Sequence, residues 1–109
     1  MSLLEITDQE FAQQLNQSDR LVLAYFWAPW CGPCRLMSPS VKAIAEEYTD
    51  QLKVLKLAVD DNPETVAAYQ VEGVPALRLF QDGHLVLAQE GAITRNKIIE
   101  LLSDYLTQT

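Results

Sequence analysis

Apolar residues fall along this chain in two alternating patterns, unbroken runs and helical spacing, which predict strands and helices in turn. Leu21-Val-Leu-Ala-Tyr-Phe-Trp27 is continuous and rich in branched and aromatic side chains, as a strand buried on both faces requires. From Pro33 the pattern changes. Leu36, Met37, Val41, Ile44, Ala45 and Tyr48 recur at helical intervals, which predicts a helix over 33–49. Pro39 lies within it, where its ring removes a hydrogen bond and should kink the helix. Upstream, Thr7-Asp-Gln-Glu10 is a capping box that opens a first helix, with Phe11, Leu15 and Ala12 facing inward. Downstream, Val54 to Val59 reads as a second buried strand. Asn62-Pro63-Glu64 then supplies an N-cap, a proline at the first helical position and an acid near the dipole, for a short helix to Tyr69. Residues 76–81 and 84–90 read as antiparallel strands joined through Asp82-Gly83, a strong hairpin signal. A last helix is predicted over 94–106, with Ile98, Leu102 and Tyr105 on its inner side. The order β-α-β-α-β-α-β-β-α predicts an α/β fold, a mixed sheet covered by helices on both faces with a C-terminal hairpin and helix.

Composition narrows the class. A length of 109 residues predicts one domain, 1–109, able to bury about two-thirds of its unfolded surface and to fold without disulfides. With 49% hydrophobic residues it is an ordinary globular chain rather than a disordered one. The longest apolar stretch, Leu21 to Trp30, is too short to cross a bilayer, and the N-terminus carries neither a basic nor an extended apolar segment. No membrane association is therefore expected, and a reducing, cytoplasmic compartment is. A net charge of −7 without any Lys/Arg cluster argues against nucleic acid and favours partners with basic patches.

The candidate chemistry lies in Trp30-Cys31-Gly32-Pro33-Cys34. The chain's only two cysteines sit three positions apart, between a predicted strand and a predicted helix. Cys31 then falls at the first helical turn, where unpaired N–H groups and the positive end of the helix dipole favour thiolate over thiol. Cys34, one turn later on the same helix, can reach back to close a disulfide. A structural zinc or iron–sulfur site needs about four ligands, and beyond the cysteines the chain offers one histidine, His84, in the predicted hairpin turn, where it is assigned to the surface. No metal is expected. A purely structural disulfide across so short a loop removes little chain entropy. Inert core cysteines fit poorly with Gly-Pro between them and Trp before them. A redox dithiol is the favoured reading.

The motif and the series around it resemble thioredoxin over nearly the whole chain. The series comprises Phe26-Trp27-Ala28 before the motif, Pro39 in the motif helix, Asp60 with Asn62-Pro63, Gly73-Val74-Pro75 before the hairpin and Gly91-Ala92 after it. The resemblance implies a thioredoxin fold and a protein-disulfide reductase. In it Cys31 attacks a target disulfide, Cys34 resolves the mixed disulfide, and Gly32 and Pro33 tune how readily the pair is reduced. It implies a cis Val74–Pro75 bond against the dithiol, with the Val74 backbone free to pair with a target strand, where an ordinary turn proline is trans. Trp30, Gly73 and Gly91 with Pro29 and Trp27 would border the contact surface; for Trp27 plain core packing stays equally open. Arg35 sits where the family is commonly basic, and supports the thiolate or is simply solvated.

One position departs from the family pattern. Six residues before the first cysteine, where thioredoxins usually carry a buried aspartate proposed to deprotonate the second cysteine, this chain has Tyr25. The lysine that usually partners that aspartate is matched by Lys56, inside an otherwise apolar strand. A phenol titrates near 10 and burial raises it, so Tyr25 cannot serve as the base; Cys34 then loses its proton to water, to the departing Cys31 sulfur or through Lys56. No cofactor beyond the dithiol is implied. The implied partners are disulfide-containing targets and a separate thioredoxin reductase, NADPH- or ferredoxin-dependent, with the chain itself a monomer. The rival reading from another class is a non-catalytic subunit that uses the same surface as a clamp. A disulfide oxidase or isomerase would require an oxidising compartment.

Overall fold

A computed structural model describes residues 3–106. The chain runs β1 (Leu3–Glu5), α1 (Asp8–Gln17), β2 (Leu21–Trp27), α2 (Gly32–Glu47), β3 (Leu52–Ala58), a 3-10 turn (Val59–Asp61), α3 (Pro63–Ala68), β4 (Ala76–Gln81), β5 (His84–Glu90) and α4 (Arg95–Leu102). The five strands form one sheet in the order β1-β3-β2-β4-β5. β1, β3 and β2 are parallel, while β4 and β5 add on antiparallel to one another and to β2. The α/β mixed sheet read from the pattern is therefore present.

β2 lies at the centre and is buried on both faces, which is why its sequence is apolar at every position rather than at alternate ones. Leu21, Leu23 and Tyr25 point to the side covered by α2 and α4, where Met37, Val41, Ile44, Ala45, Ile98 and Leu102 close over them. Val22, Ala24 and Phe26 point to the side of α1 and α3, against Phe11, Leu15, Leu55, Leu57 and Phe80. On that side Phe11, Tyr69 and Phe80 meet edge-on or tilted at centroid distances of 5.0–5.7 Å, the arrangement that aromatic quadrupoles favour. The turn between β4 and β5 has Asp82 at φ 53° and Gly83 at φ 81°, the two positive values that a two-residue hairpin needs to match the strand twist.

Some boundaries and facings differ from the pattern. β3 begins at Leu52, two residues before the predicted start. α2 runs through Pro39 but ends at Glu47, and Leu36 is 81% exposed, because the inward stripe passes through Cys34, Met37, Val41, Ile44 and Ala45, one residue aside from it. Ala12 is exposed for the same reason, the inner stripe of α1 being only Phe11 and Leu15. α4 stops at Leu102 rather than 106. The Ser103 hydroxyl donates to the Glu100 carbonyl at 2.7 Å and its N–H turns to the same oxygen at 3.3 Å, so a side chain competes with the next helical bond. Tyr105 lies beyond the helix, half-buried, and donates to the Val86 carbonyl.

The Thr7 capping box closes, with Glu10 accepting from the Thr7 N–H and hydroxyl at 3.0 Å each. The cap of α3 corrects the prediction. Asn62 stands at the N-cap but its side chain bonds elsewhere, to the Asp8 N–H at 2.8 Å and the Ala58 carbonyl at 2.8 Å. Asp8, 54 residues earlier, supplies the cap instead: its carboxylate accepts from Glu64 N–H, Thr65 N–H and the Thr65 hydroxyl at 3.0, 2.9 and 2.6 Å. α1 and α3 are thereby locked start to start.

Candidate active site

The site begins where β2 ends. After Trp27 the chain turns through Ala28, Pro29 and Trp30, and the Cys31 N–H closes the turn on the Ala28 carbonyl at 3.1 Å. Cys31 is the N-cap of α2 in extended backbone, and Gly32 and Pro33 are its first helical residues. Pro33 is suited there because its missing N–H would have had no intrahelical partner. The Cys34 N–H donates to Cys31 Sγ at 3.2 Å, so the sulfur occupies the place of a capping oxygen. The two cysteines are joined as a disulfide with Cα atoms 5.3 Å apart. A sulfur at this position meets an N–H donor and the positive end of a sixteen-residue helix, and both lower the cost of negative charge on it.

Both cysteines are buried, Cys31 at 5% and Cys34 at 1% exposure. Exposure therefore separates the two only in rank. They pack with Ala28 into a small cluster that Trp27, Val59 and Val74 close. Val74 precedes Pro75 through a cis peptide bond, as the resemblance implied. Pro75 is buried, and its carbonyl accepts from the Gly91 N–H at 2.9 Å, which ties the Val74–Pro75 loop to the residue just past β5. Gly91 takes φ +95°, a value that side chains rarely adopt. Trp30 is 66% exposed, and its indole N–H donates to Asp60 at 2.7 Å. Trp30, Asp60, Val59, Gly73 and Val74 line a cavity of about 290 Å³, of which Val59 and Val74 also pack against the cysteine cluster. Val74 is thus packed against the dithiol, with Gly73 and Pro75 its chain neighbours, Trp30 beside Cys31 in the chain and on the same cavity as Val74, and Gly91 bonded to the Pro75 carbonyl.

Tyr25 and Lys56 lie behind it. Tyr25 is fully buried, and its hydroxyl lies 2.8 Å from the Ser38 hydroxyl and donates to the Cys34 carbonyl at 3.2 Å. Burial pushes its phenol above the ordinary value, with the Ser38 bond opposing. The hydroxyl therefore fastens α2 to β2 and stays protonated. Lys56 pairs with Tyr25 across β2 and β3, but its ammonium sits over the Trp27 ring, 4.4 Å from the centroid, within cation–π range. Trp27 is half-buried and packs against both the main core and the cysteine cluster, the core packing weighed for it; its Nε1 is buried without a hydrogen-bond partner among the described residues. Arg35 is exposed and donates to the Pro29 carbonyl at 3.2 Å. His84 is exposed at the hairpin. A larger cavity, about 670 Å³, opens behind Cys34 between Tyr25, Trp27, Ser38 and Lys56. Among the described residues no three His, Cys, Asp or Glu side chains are placed to hold a metal ion, and no helix is long and apolar enough to cross a membrane.

Reading the sequence did not single out Ser38, Asp8, Arg78 or Glu90. Arg78 carried a usable signal: a guanidinium inside the apolar run 76–80, as Lys56 stands inside 52–58. It is 3% exposed.

A family model described as Thioredoxin matches residues 2–104. A thioredoxin-like protein of Synechocystis sp. is 60% identical, the alignment covering 97% of each chain. The thioredoxin of Porphyra purpurea is 43% identical over 98% of this chain and 100% of its own. Thioredoxin 1 of Synechococcus elongatus is 41% identical over 93% and 94%. Matched by the family model over residues 2–104 and by these relatives at 41–60% identity along nearly its whole length, the chain belongs to the thioredoxin family.

Proposed function

We propose that Cys31 is the attacking sulfur and Cys34 the resolving one. The chain is a thiol-disulfide oxidoreductase of the protein-disulfide reductase kind, which follows from its family and its bonded cysteine pair. The division of roles is supported above all by one observation: the Cys31 sulfur caps α2 and takes the Cys34 N–H. In the reduced state the Cys31 thiolate attacks one sulfur of a target disulfide, a mixed disulfide forms, and the other target sulfur leaves as a thiolate. Cys34 then gives up its proton to solvent or to that sulfur and attacks Cys31. The target departs as a dithiol carrying two electrons, and Cys31–Cys34 closes. Tyr25 takes no part as a base, and Lys56 is held at Trp27.

In this reading the target strand lies across Trp30 and pairs with the Val74 backbone, with Gly73, Pro75 and Gly91 bordering it. Gly32 and Pro33 shape the turn between the sulfurs, while Lys56 and Tyr25 set the polarity behind them. Family members are reduced by a thioredoxin reductase and act on disulfide targets. We extend this to the present chain as a one-domain, cytoplasmic monomer whose only redox group is its dithiol, recharged by an NADPH- or ferredoxin-dependent reductase.

The test is trapping. Incubated with cell extract, Cys34→Ser should accumulate mixed disulfides and Cys31→Ser should not, and neither should turn over insulin. Equal trapping by both would contradict the assigned roles. Partner function retained when both cysteines are serine would favour the clamp.

A further inference from the structure

Arg78 in β4 is buried with its guanidinium turned to main chain. Its Nε donates to the Tyr69 carbonyl at 3.0 Å, Nη1 to its neighbour Leu77 at 3.0 Å, and Nη2 to the Gln70 carbonyl at 3.1 Å. Nη2 also bonds Glu90 Oε2 at 2.7 Å, with the Arg78 side chain 4% and the Glu90 side chain 36% exposed. The same carboxylate oxygen accepts from the Glu72 N–H at 3.3 Å, and a Cβ on Gly73 would stand 3.9 Å from the other oxygen. Gln70, one of the carbonyls held, has φ +54°, a conformation that its own side chain does not favour. One residue past Glu90, the Gly91 N–H holds the Pro75 carbonyl.

The segment 69–75 is therefore pinned at Tyr69, Gln70, Glu72 and Pro75, from two adjacent strands. A buried ion pair is on average no more stabilising than well-packed apolar side chains of the same volume. Fold stability alone thus gives little reason for a guanidinium here, whereas a fork of fixed donors is suited to holding several carbonyls in register.

We propose that Arg78 and Glu90 are a positioning pair that sets the 72–75 loop at the spacing from Cys31 at which an extended polypeptide can pair with it. The pair touches neither sulfur nor target. The proposal rests on the reading that Gly73–Pro75 and Gly91 receive the target. It separates substrates by kind: polypeptide disulfides, which pair with the loop, depend on the brace, and small disulfides, which do not, are reduced without it.

The experiment compares wild type, Arg78→Met, Arg78→Lys and Glu90→Gln on insulin and on dithiobis(nitrobenzoate). KM for insulin should rise about tenfold in Arg78→Met and by less in Glu90→Gln and Arg78→Lys, with kcat within about twofold and the small disulfide reduced within about twofold of wild type. Normal reduction of the small disulfide also reports that a variant is folded. If Arg78→Met does not fold, the other two decide. An unchanged insulin KM in the folded variants overturns the brace, as do equal losses on both substrates, since those report general distortion. If wild type itself shows no saturable preference for insulin over the small disulfide, the target-binding reading of the loop has failed first, and the brace falls with it.

Discussion

On the face of the sheet covered by α2 and α4, the buried core is apolar apart from Tyr25, whose hydroxyl is spent on α2 itself. The face covered by α1 and α3 has an aromatic core of its own but adds two polar interlocks, Asp8 with Asn62 and Thr65, and Arg78 with Glu90. The dithiol belongs to the first face and the loop opposite it hangs from the second. A reactive sulfur needs a donor and a dipole, which a turn and a helix start provide locally. A loop without regular hydrogen bonding has to be fixed by side chains from elsewhere, and buried charge-assisted bonds are directional enough to do so. Chemistry and reach are thus set by different parts of the fold.

The largest effect that can break this contrast comes from placing a charge in the apolar face. Tyr25→Asp puts a carboxyl in a fully buried position, and burial can raise such a group by several units at about 1.4 kcal/mol each. Its folded pKa then exceeds the unfolded value of about 4. The penalty is absent below the unfolded value and grows as pH rises towards the folded one. Urea unfolding between pH 4 and pH 8, in a Lys56→Met background so that no ammonium pairs with the new acid, should show Tyr25→Asp falling progressively below Tyr25→Asn. Asn carries the same packing loss without the titration. A flat gap would mean that this face is not dry at residue 25.

A smaller effect of opposite sign sharpens the contrast from the other face. Burial pulls the Asp8 carboxyl up, but the Thr65 hydroxyl and the Thr65 and Glu64 N–H groups together hold it below the ordinary range. Its stabilisation is therefore complete above the unfolded pKa of about 4 and is lost as pH falls through the lower folded value. Asp8→Asn should cost about 1 kcal/mol at pH 7, as loss of a helix cap does, and the difference should vanish at the acid end of the titration. A difference that persists unchanged to pH 2 would remove the charge from the interlock.

What could be read from the sequence follows the same division. The cysteine pair, the capping box, the hairpin and the strand β2 are each written in residues next to one another, so spacing and turn chemistry reveal them. The Asp8–Thr65 cap on α3, the Arg78–Glu90 pair and the Trp30–Asp60 bond join residues 57, 12 and 30 positions apart, and no local pattern records such a pairing. Asn62 shows the cost: it looked like the cap because caps are usually local, and tertiary contact reassigned it. Leu36 and Ala12 were misread because periodicity fixes the pitch of an apolar stripe more firmly than its edge.

The central claim is that the helix start makes Cys31 the reactive sulfur. Limiting iodoacetamide on the reduced protein near pH 7, followed by mapping of the label, tests it most directly. Modification at Cys31 in clear excess over Cys34 is the predicted result, because dipole, N–H donor and the rank of burial all favour the first position. Preferential label at Cys34 would contradict the account and reverse the two roles.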